Sequence, residues 1–537
     1  MIQPTSPAPA ARGKTATVQT ARGRQGVVAA GHPLATQEAL RVLQDGGNAV
    51  DAAVAAGLVL TVVAPYAVTL AGDVYMLIRD PKTRTIAGLN GTGRAPTGAT
   101  AERFAASSHG GIAREGILSA SIPGLLAAFQ DALERHGTRD LGSLAQAAIR
   151  IAEDGFAIFP YFTAQTRQRG ELVKSDPEAA RIFTPGGEAM TPGTLFKQPQ
   201  LAAVLRKIAK DGIKTFYEGE VAEQLVAAGK ALGSLWTLDD LAAHRSTWQE
   251  PMSAPFYGHD VATMPPNSYG PTLLLQLLYL QAGGIHKVDP NGAEFIQRGY
   301  AARKVAYKTA GKFIAEPTLT EAPMRELLAK VIAETSKFGG QAPDEGAMPA
   351  EAKDRCTTNV VVIDKDGLAV SMIESISAPY GAGVVLPGTG ILLNNRMAGF
   401  NVDPASANCV APGKRPAHTL APCMVTKGGE LVMSVGTPGT VGQTCVLAQF
   451  LARVLGCGQA LTAAAEAPRW SADFQGKLVI EDCMDEALQK AVLATDAEAK
   501  VMRTGWISFG SIKLAMVEGD GFIGLADHRR AASTEGY

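Results

Sequence analysis

Two adjacent threonines, Thr357 and Thr358, stand between the polar run "KDRC" and the β-branched stretch Val360–Ile363. A threonine hydroxyl is a weak nucleophile unless a base sits beside it, and a chain terminus supplies one in the α-amine of an N-terminal Thr. That amine titrates near about 7.7 to 8.0, against about 10.4 for lysine, so a useful fraction is free base at neutral pH. Thr357 is internal, so this chemistry requires a cut between Cys356 and Thr357. As local structure alone, Thr-Thr at a strand start reflects ordinary β-propensity. A thiol nucleophile at Cys356 is a third reading, and the residues by themselves leave all three open.

The element that must present Thr357 is a hairpin. Val360–Ile363 runs into the turn Asp364-Lys365-Asp366-Gly367, and a second strand follows from Leu368 to Ile376, carrying Ser375. Asp and Gly adopt turn conformations that β-branched residues resist, so the pattern reads strand, tight turn, strand. A second element is the turn "GTPGTVG" (Gly436 to Gly442), which leads into a helical stretch. Backbone N–H groups at such a turn can hold an oxyanion, and an ordinary helix cap is the plainer alternative. No Gly-Lys-Ser/Thr follows, so it is not a phosphate loop.

Longer stretches carry a resemblance. "TTNVVVIDKDGLAVSMIES" with "YGAGVVLPGTGILLNNRMAGF", and upstream "GGNAVDAA", "NGTGRAP" and "SIPGLLAAFQDALERHG", resemble the γ-glutamyltransferase family of N-terminal-nucleophile hydrolases. The match runs from about Gly31 to the end. It implies an α/β fold, a four-layer αββα sandwich formed jointly by the two pieces of a self-cleaved proenzyme. Residues 29–356 would be the large subunit and 357–537 the small one, interwoven as one catalytic unit. The resemblance makes Thr357 the nucleophile and Thr358 its support, and it places the cleavage after Cys356. It puts Ser375 where a Thr bonds the amine, and Gly439 and Thr440 where a Gly-Gly pair holds the oxyanion.

The departures bear on substrate. Where family members hold a γ-glutamyl α-carboxylate with an Arg and two serines, this chain has Thr92 (Arg94 two residues on), His418 and Thr419. Where they hold the α-amine with Asn, Gln and Asp, it has Ser377, Arg396 and Gly399. Losing the Asp removes the counter-charge for an ammonium, and an Arg there repels one. Guanidinium matches a carboxylate instead. The expectation is that Arg396, with Arg94, binds a substrate carboxylate while His418 and Thr419 add hydrogen bonds. Small acid amides such as oxamate then fit, and oxamate amidohydrolases are a branch of the family. An ion pair that touches no ligand is the alternative for Arg396. Asn359 stands where a His is common. Two other functions stay open: a γ-glutamyl hydrolase or transpeptidase acting on glutathione-like compounds, and an unprocessed, non-catalytic binding protein.

Composition sets bounds. The 537 residues, 46% hydrophobic, can bury a large core, about three or four domains' worth by length. A net charge of −1 gives no reason to expect nucleic acid or an anionic membrane. None of the six cysteines precedes Cys356 and no CxxC pair occurs, so free thiols in a reducing compartment, hence a cytoplasmic location, are expected. The histidines lack metal-ligand spacing, and no metal or cofactor is implied. Residues 1–28 have no apolar signal core and, although their scattered Arg faintly resembles a transit peptide, read as a disordered tail. Ser336 to Asp354 reads as an exposed linker leading to the cut. The uncharged run Ala52 to Gly72 is long enough to span a bilayer. Gly57 and Pro65 interrupt it between Asp51 and Asp73, so it reads as a buried helix entering a loop. The expected partner is a small amide, with the two subunits from one chain and a homo-oligomer left open.

Overall fold

The computed structural model describes residues 18–107, 110–334, 356–473, 475–527 and 529–537. The linker read at Ser336 to Asp354 lies outside the described residues, as do residues 1–17. Fourteen strands build two large sheets, numbered here in chain order. They are β1 (Val18–Gly23), β2 (Gly26–Ala30), β3 (Asp73–Arg79), β4 (Ile86–Gly91), β5 (Thr247–Gln249), β6 (Met252–Phe256) and β7 (His259–Thr263). After these come β8 (Cys356–Asp364), β9 (Ala369–Ser377), β10 (Cys423–Lys427), β11 (Glu430–Gly436), β12 (Lys513–Glu518), β13 (Gly521–Asp527) and β14 (Ser533–Gly536). One sheet has the order β14-β2-β8-β9-β3-β4-β5 and the other β1-β13-β12-β11-β10-β7-β6. Every pairing in both is antiparallel.

Side chains alternate across a strand, so each sheet feeds two cores. Val361 and Ile363 of β8, with Tyr75, Leu77 and Ile373, meet Met424, Leu431 and Ala515 of the other sheet in a layer between the sheets. Val360 and Val362 face the opposite way, onto α1 (Pro33–Gln44), α2 (Ala49–Val63) and α3 (Leu125–His136). The second sheet packs its outer face on α4 (Gly270–Ala282), α5 (Ala293–Ala310) and α6 (Gly442–Leu451). The arrangement is the expected four-layer αββα sandwich. Being covered on both faces explains why β8 and β9 are buried along their whole length, without the polar alternation of a surface strand.

α2 takes up the first part of the uncharged run, Ala52 to Val63, and all fifteen residues of the helix are buried. Asn48 and Asp51 form a capping box at its start. Among the described residues no helix is long and apolar enough to cross a membrane. The reading of residues 1–28 as a tail is corrected from Val18 onward. β1 pairs with β13, and β2 lies between β8 and β14.

The hairpin is fastened to α2 by one carboxylate. Asp364 Oδ2 accepts from the Ala49 N–H at 2.9 Å, while Oδ1 accepts from Asp366 N–H (3.0 Å) and Leu368 N–H (3.1 Å). Asp364→Ala strips three buried or half-buried donors of their acceptor. It is expected to lower stability by about 2–4 kcal/mol, read as a drop of several degrees in the thermal midpoint. Asp364→Asn retains an acceptor oxygen and is expected to lose less.

Candidate active site

Pairing between β8 and β9 is regular from Ile363 back to Thr358, which opposes Glu374. The register then slips, and Cys356 opposes Ser377. Across this slip the single residue Thr357 faces two on β9, Ser375 and Ile376, so the extra residue belongs to β9 and Thr357 has no direct partner on that strand. Bulges of this kind re-aim a side chain and interrupt pairing. Thr357 and Thr358 are both buried. A Cβ at Gly31, just past β2, would collide with Thr358 Oγ1, so glycine there lets the Thr358 side chain sit against the neighbouring strand end.

Ser375 spans the slip. Its hydroxyl donates to the Cys356 carbonyl at 2.6 Å and accepts from the Ser377 N–H at 2.8 Å. Thr357 Oγ1 lies 3.4 Å from the same Ser375 oxygen. The nucleophile candidate, the carbonyl of the candidate scissile bond and a hydroxyl donor therefore share one buried spot. Ser377 adopts a positive φ of 82°, a conformation that non-glycine residues take at an energetic cost and that concentrates at functional sites. Burial pushes the Cys356 thiol above its ordinary range, which keeps it protonated and disfavours it as a nucleophile.

The turn after β11 comes to the same place. Gly436 packs on Asn359, where an added Cβ would stand 2.9 Å from Asn359 Nδ2. Beyond it Gly439 (φ 141°) and Thr440 (φ 58°) leave the helical region before α6 begins. Their backbone N–H groups donate to no described residue. Thr440 Oγ1 is 3.3 Å from Ser508 Oγ, which turns the side chain toward that hydroxyl.

On the other flank β3 pairs with β9, and Asp73 opposes Ser375. Asp73 is wholly buried and gathers three of the residues the sequence singles out or adjoins. Arg396 Nε donates to Oδ2 at 2.7 Å, His418 Nε2 stands 3.1 Å from the same oxygen, and the Gly93 N–H donates to Oδ1 at 2.6 Å. Burial alone would raise this carboxyl, but Arg396 and His418 outweigh it and hold it below its usual value. Arg396 begins a short turn through Gly399, anchored by the Asn395 N–H on the Ile376 carbonyl and by the Ala378 N–H on Asn395 Oδ1. The Arg396 side chain is buried, yet Nη1 and Nη2 have no hydrogen-bond partner among the described residues.

The remaining expected residues divide. Thr92 is in the cluster, but its hydroxyl donates to Asn90 Oδ1 at 2.7 Å. Thr419 is buried beside His418. Arg94 is a correction. It donates to the Gly413 carbonyl at 2.9 Å and pairs with Glu316 at 3.9 Å, so it does not join Arg396. The buried cation on that loop is Arg415, whose Nε donates to the Thr92 carbonyl at 3.1 Å. Asp73, Arg415 and Asn267, which accepts from Tyr75 Oη at 2.7 Å, are site-shaping residues that the sequence reading passed over. For Asp73 a signal existed, since it is the lone acid closing a long uncharged run.

A family profile described as Gamma-glutamyltranspeptidase matches residues 35–537. The chain is 34% identical to the glutathione hydrolase-like YwrD proenzyme of Bacillus subtilis, covering 87% of this chain and 90% of the relative. It is 32% identical to the glutathione hydrolase proenzyme of Escherichia coli (84% and 81%) and 33% identical to the oxamate amidohydrolase proenzyme of Klebsiella pneumoniae (83% and 84%). The crystal structure of a cephalosporin acylase from Bacillus halodurans superimposes with a TM-score of 0.87 at 28% identity, covering 99% of this chain and 98% of that one. The sandwich, the slipped hairpin and these likenesses agree: the chain belongs to the gamma-glutamyltranspeptidase family of enzymes.

Proposed function

We propose that this protein cuts itself between Cys356 and Thr357 and then hydrolyses, or transfers the acyl group of, a small amide bearing a carboxylate, such as oxamate, through an ester on Thr357. The observation that carries the reading is the Ser375 hydroxyl, 2.6 Å from the Cys356 carbonyl oxygen and 3.4 Å from Thr357 Oγ1. In the first step Thr357 Oγ attacks the Cys356 carbonyl carbon and the Cys356–Thr357 C–N bond breaks, leaving an ester. Water then hydrolyses the ester. The products are a Cys356 carboxylate and a Thr357 with free amine and hydroxyl. A donor already aimed at the carbonyl stabilises the charge that develops there.

In the mature enzyme the Thr357 amine takes the hydroxyl proton as Oγ attacks the substrate amide and returns it to the leaving nitrogen. The Gly439 and Thr440 N–H groups stabilise the oxyanion, and Ser375, released from Cys356, accepts from the amine. Thr358 holds the strand end in place.

Arg396 supports the substrate class. A buried guanidinium with two nitrogens, Nη1 and Nη2, unpartnered among the described residues suits a carboxylate approaching as a fork. His418 shares Asp73 Oδ2 with it, Thr419 is buried next along the chain, and Ser377 closes the strand end opposite Cys356. Asp73 is already shared by Arg396 and His418, which leaves it a poor counter-ion for a substrate ammonium. Two of the relatives named above bear glutathione hydrolase names, and these favour the second reading, a γ-glutamyl donor.

Three outcomes are expected. Purified wild type gives two bands on a denaturing gel, the smaller one beginning at Thr357, whereas Thr357→Ala stays intact. An intact wild type would leave a non-catalytic binding protein. Ser375→Ala slows self-cleavage by about 10²-fold or more, the scale of losing one oxyanion donor, and Ser375→Thr restores most of it. Ammonia release from oxamate exceeds turnover of a γ-glutamyl anilide; strong γ-glutamyl turnover abolished by Thr357→Ala would decide for the second reading.

A further inference from the structure

A second group of cations lies on the opposite flank of Thr357 from Arg396. Lys513 opens β12 directly across from Gly436, the residue packed on Asn359. Arg530 lies in the turn between β13 and β14, three residues before Ser533, which pairs with Ala30, itself the partner of Val360. Both therefore stand at the end of the sandwich where β8 begins. Both act on Cys356: burial raises its thiol, and Arg530 and Lys513 pull it back. The phenols of Tyr66 and Tyr161 feel the same guanidinium.

Among the described residues neither cation has a counter-ion of its own. Arg469, Arg529, Arg530 and Lys513 are all buried, against two buried carboxylates, Asp527 and Glu481. Those two are taken. Arg469 pairs with Asp527 at 2.5 Å, and Arg529 spans Glu481 (2.8 Å) and Asp527 (3.2 Å). Among the described residues Arg530 uses only Nη2, on the Ile507 carbonyl, and its Nε and Nη1 have no hydrogen-bond partner. Lys513 Nζ reaches the carbonyl and the hydroxyl of Ser511, each at 3.2 Å. Burial, with Arg530 nearby, brings the ammonium down to about 7. An unpaired charge in the interior is costly, and an unmade buried hydrogen bond adds to that cost, so an arrangement of this kind is completed by an anion.

We propose that Arg530 and Lys513 form a carboxylate-binding subsite beside Thr357, distinct from Arg396, that selects acyl donors carrying an acidic group at this end. The inference rests on the amidohydrolase reading above and deepens it. Thr357 then lies between two guanidinium groups. Arg396 shares its charge with Asp73, while Arg530 has no carboxylate partner among the described residues, so the stronger anion preference belongs to Arg530.

The test uses the processed enzyme and a series of acid amides, oxamate, malonamate, succinamate and glutaramate, each against its neutral diamide, with ammonia release as the readout. The expected result is that Arg530→Gln and Lys513→Met each lower the wild-type preference in kcat/KM for the best acid amide over its diamide at least tenfold. An unaltered preference in both variants overturns the subsite. Calorimetric titration with glutarate and oxalate, which needs no turnover, separates the subsite from the amidohydrolase reading. Wild type should bind at least one of the two, and Arg530→Gln should bind it at least tenfold more weakly. Absent or unchanged binding counts against the subsite even if amides are hydrolysed, whereas weakened binding without any amide turnover keeps the subsite and overturns the reaction. Should Arg530→Gln fail to fold, judged by its thermal midpoint, Lys513→Met carries both measurements.

Discussion

The site depends on a single break in pairing. Along β8 every residue from Thr358 to Ile363 has a cross-strand partner on β9, and at Thr357 the ladder misses one. A carbonyl inside a regular ladder is occupied by an N–H and is shielded from attack. A carbonyl next to a bulge needs another partner, because a buried polar group without one is expensive. The Cys356 carbonyl finds the Ser375 hydroxyl, and by finding it comes within reach of the Thr357 side chain. What makes the strand end imperfect as a sheet is also what gives it a polarised peptide bond.

Such a break would be a weak point if the rest of the sheet could slide. It cannot, because hydroxyls tie the two sheets a few residues away. Ser371 Oγ donates to the Val435 carbonyl at 3.1 Å, and Ser434 Oγ donates to the Val370 carbonyl at 2.7 Å. Each bond runs from one sheet into the other. They fix β9 against β11, and so set Ser375 relative to the turn that carries Gly439 and Thr440. The all-buried α2 backs the hairpin from the other side, and its small side chains permit close approach. At Gly57 an added Cβ would stand 3.0 Å from Met372 Cε and 3.1 Å from Glu374 Oε2. Rigid elements on both faces hold the irregularity in place, and there the Ser375 side chain sets the geometry.

The hairpin and the glycine turn were legible in the sequence because their signals are local: β-branched runs, Asp-Gly chemistry and a Gly-rich approach to a helix. The register slip was not, since no residue type at Thr357, Ser375 or Ile376 signals that two residues of β9 face one of β8. β1 and β14 were missed for a related reason. Val18–Gly23 and Ser533–Gly536 have little intrinsic strand preference, and they become strands by adding to edges formed by residues hundreds of positions away. Arg396 was read as a cation in want of a carboxylate. Its partner, Asp73, lies 323 residues away, and no spacing rule connects them. Arg94 shows the converse error, since proximity in sequence to the expected loop position did not carry its side chain inward.

Charge placement then follows from burial more than from count. The chain is nearly neutral overall, yet its interior near Thr357 is not. On one flank Asp73 balances Arg396 and accepts from His418 and the Gly93 N–H, so adding an anion there must compete with a carboxylate already in place. On the other flank the two carboxylates are consumed by Arg469 and Arg529, leaving Arg530 and Lys513 in excess. An unpaired cation held in the interior is destabilising, and a fold tolerates it where a ligand supplies the missing charge. On the proposed reading this asymmetry orients the substrate. A donor with one carboxylate gains more by placing it at Arg530 than by displacing part of the Asp73 network. That would leave Arg396 to read a second polar group and the Gly439–Thr440 turn to receive the carbonyl between them.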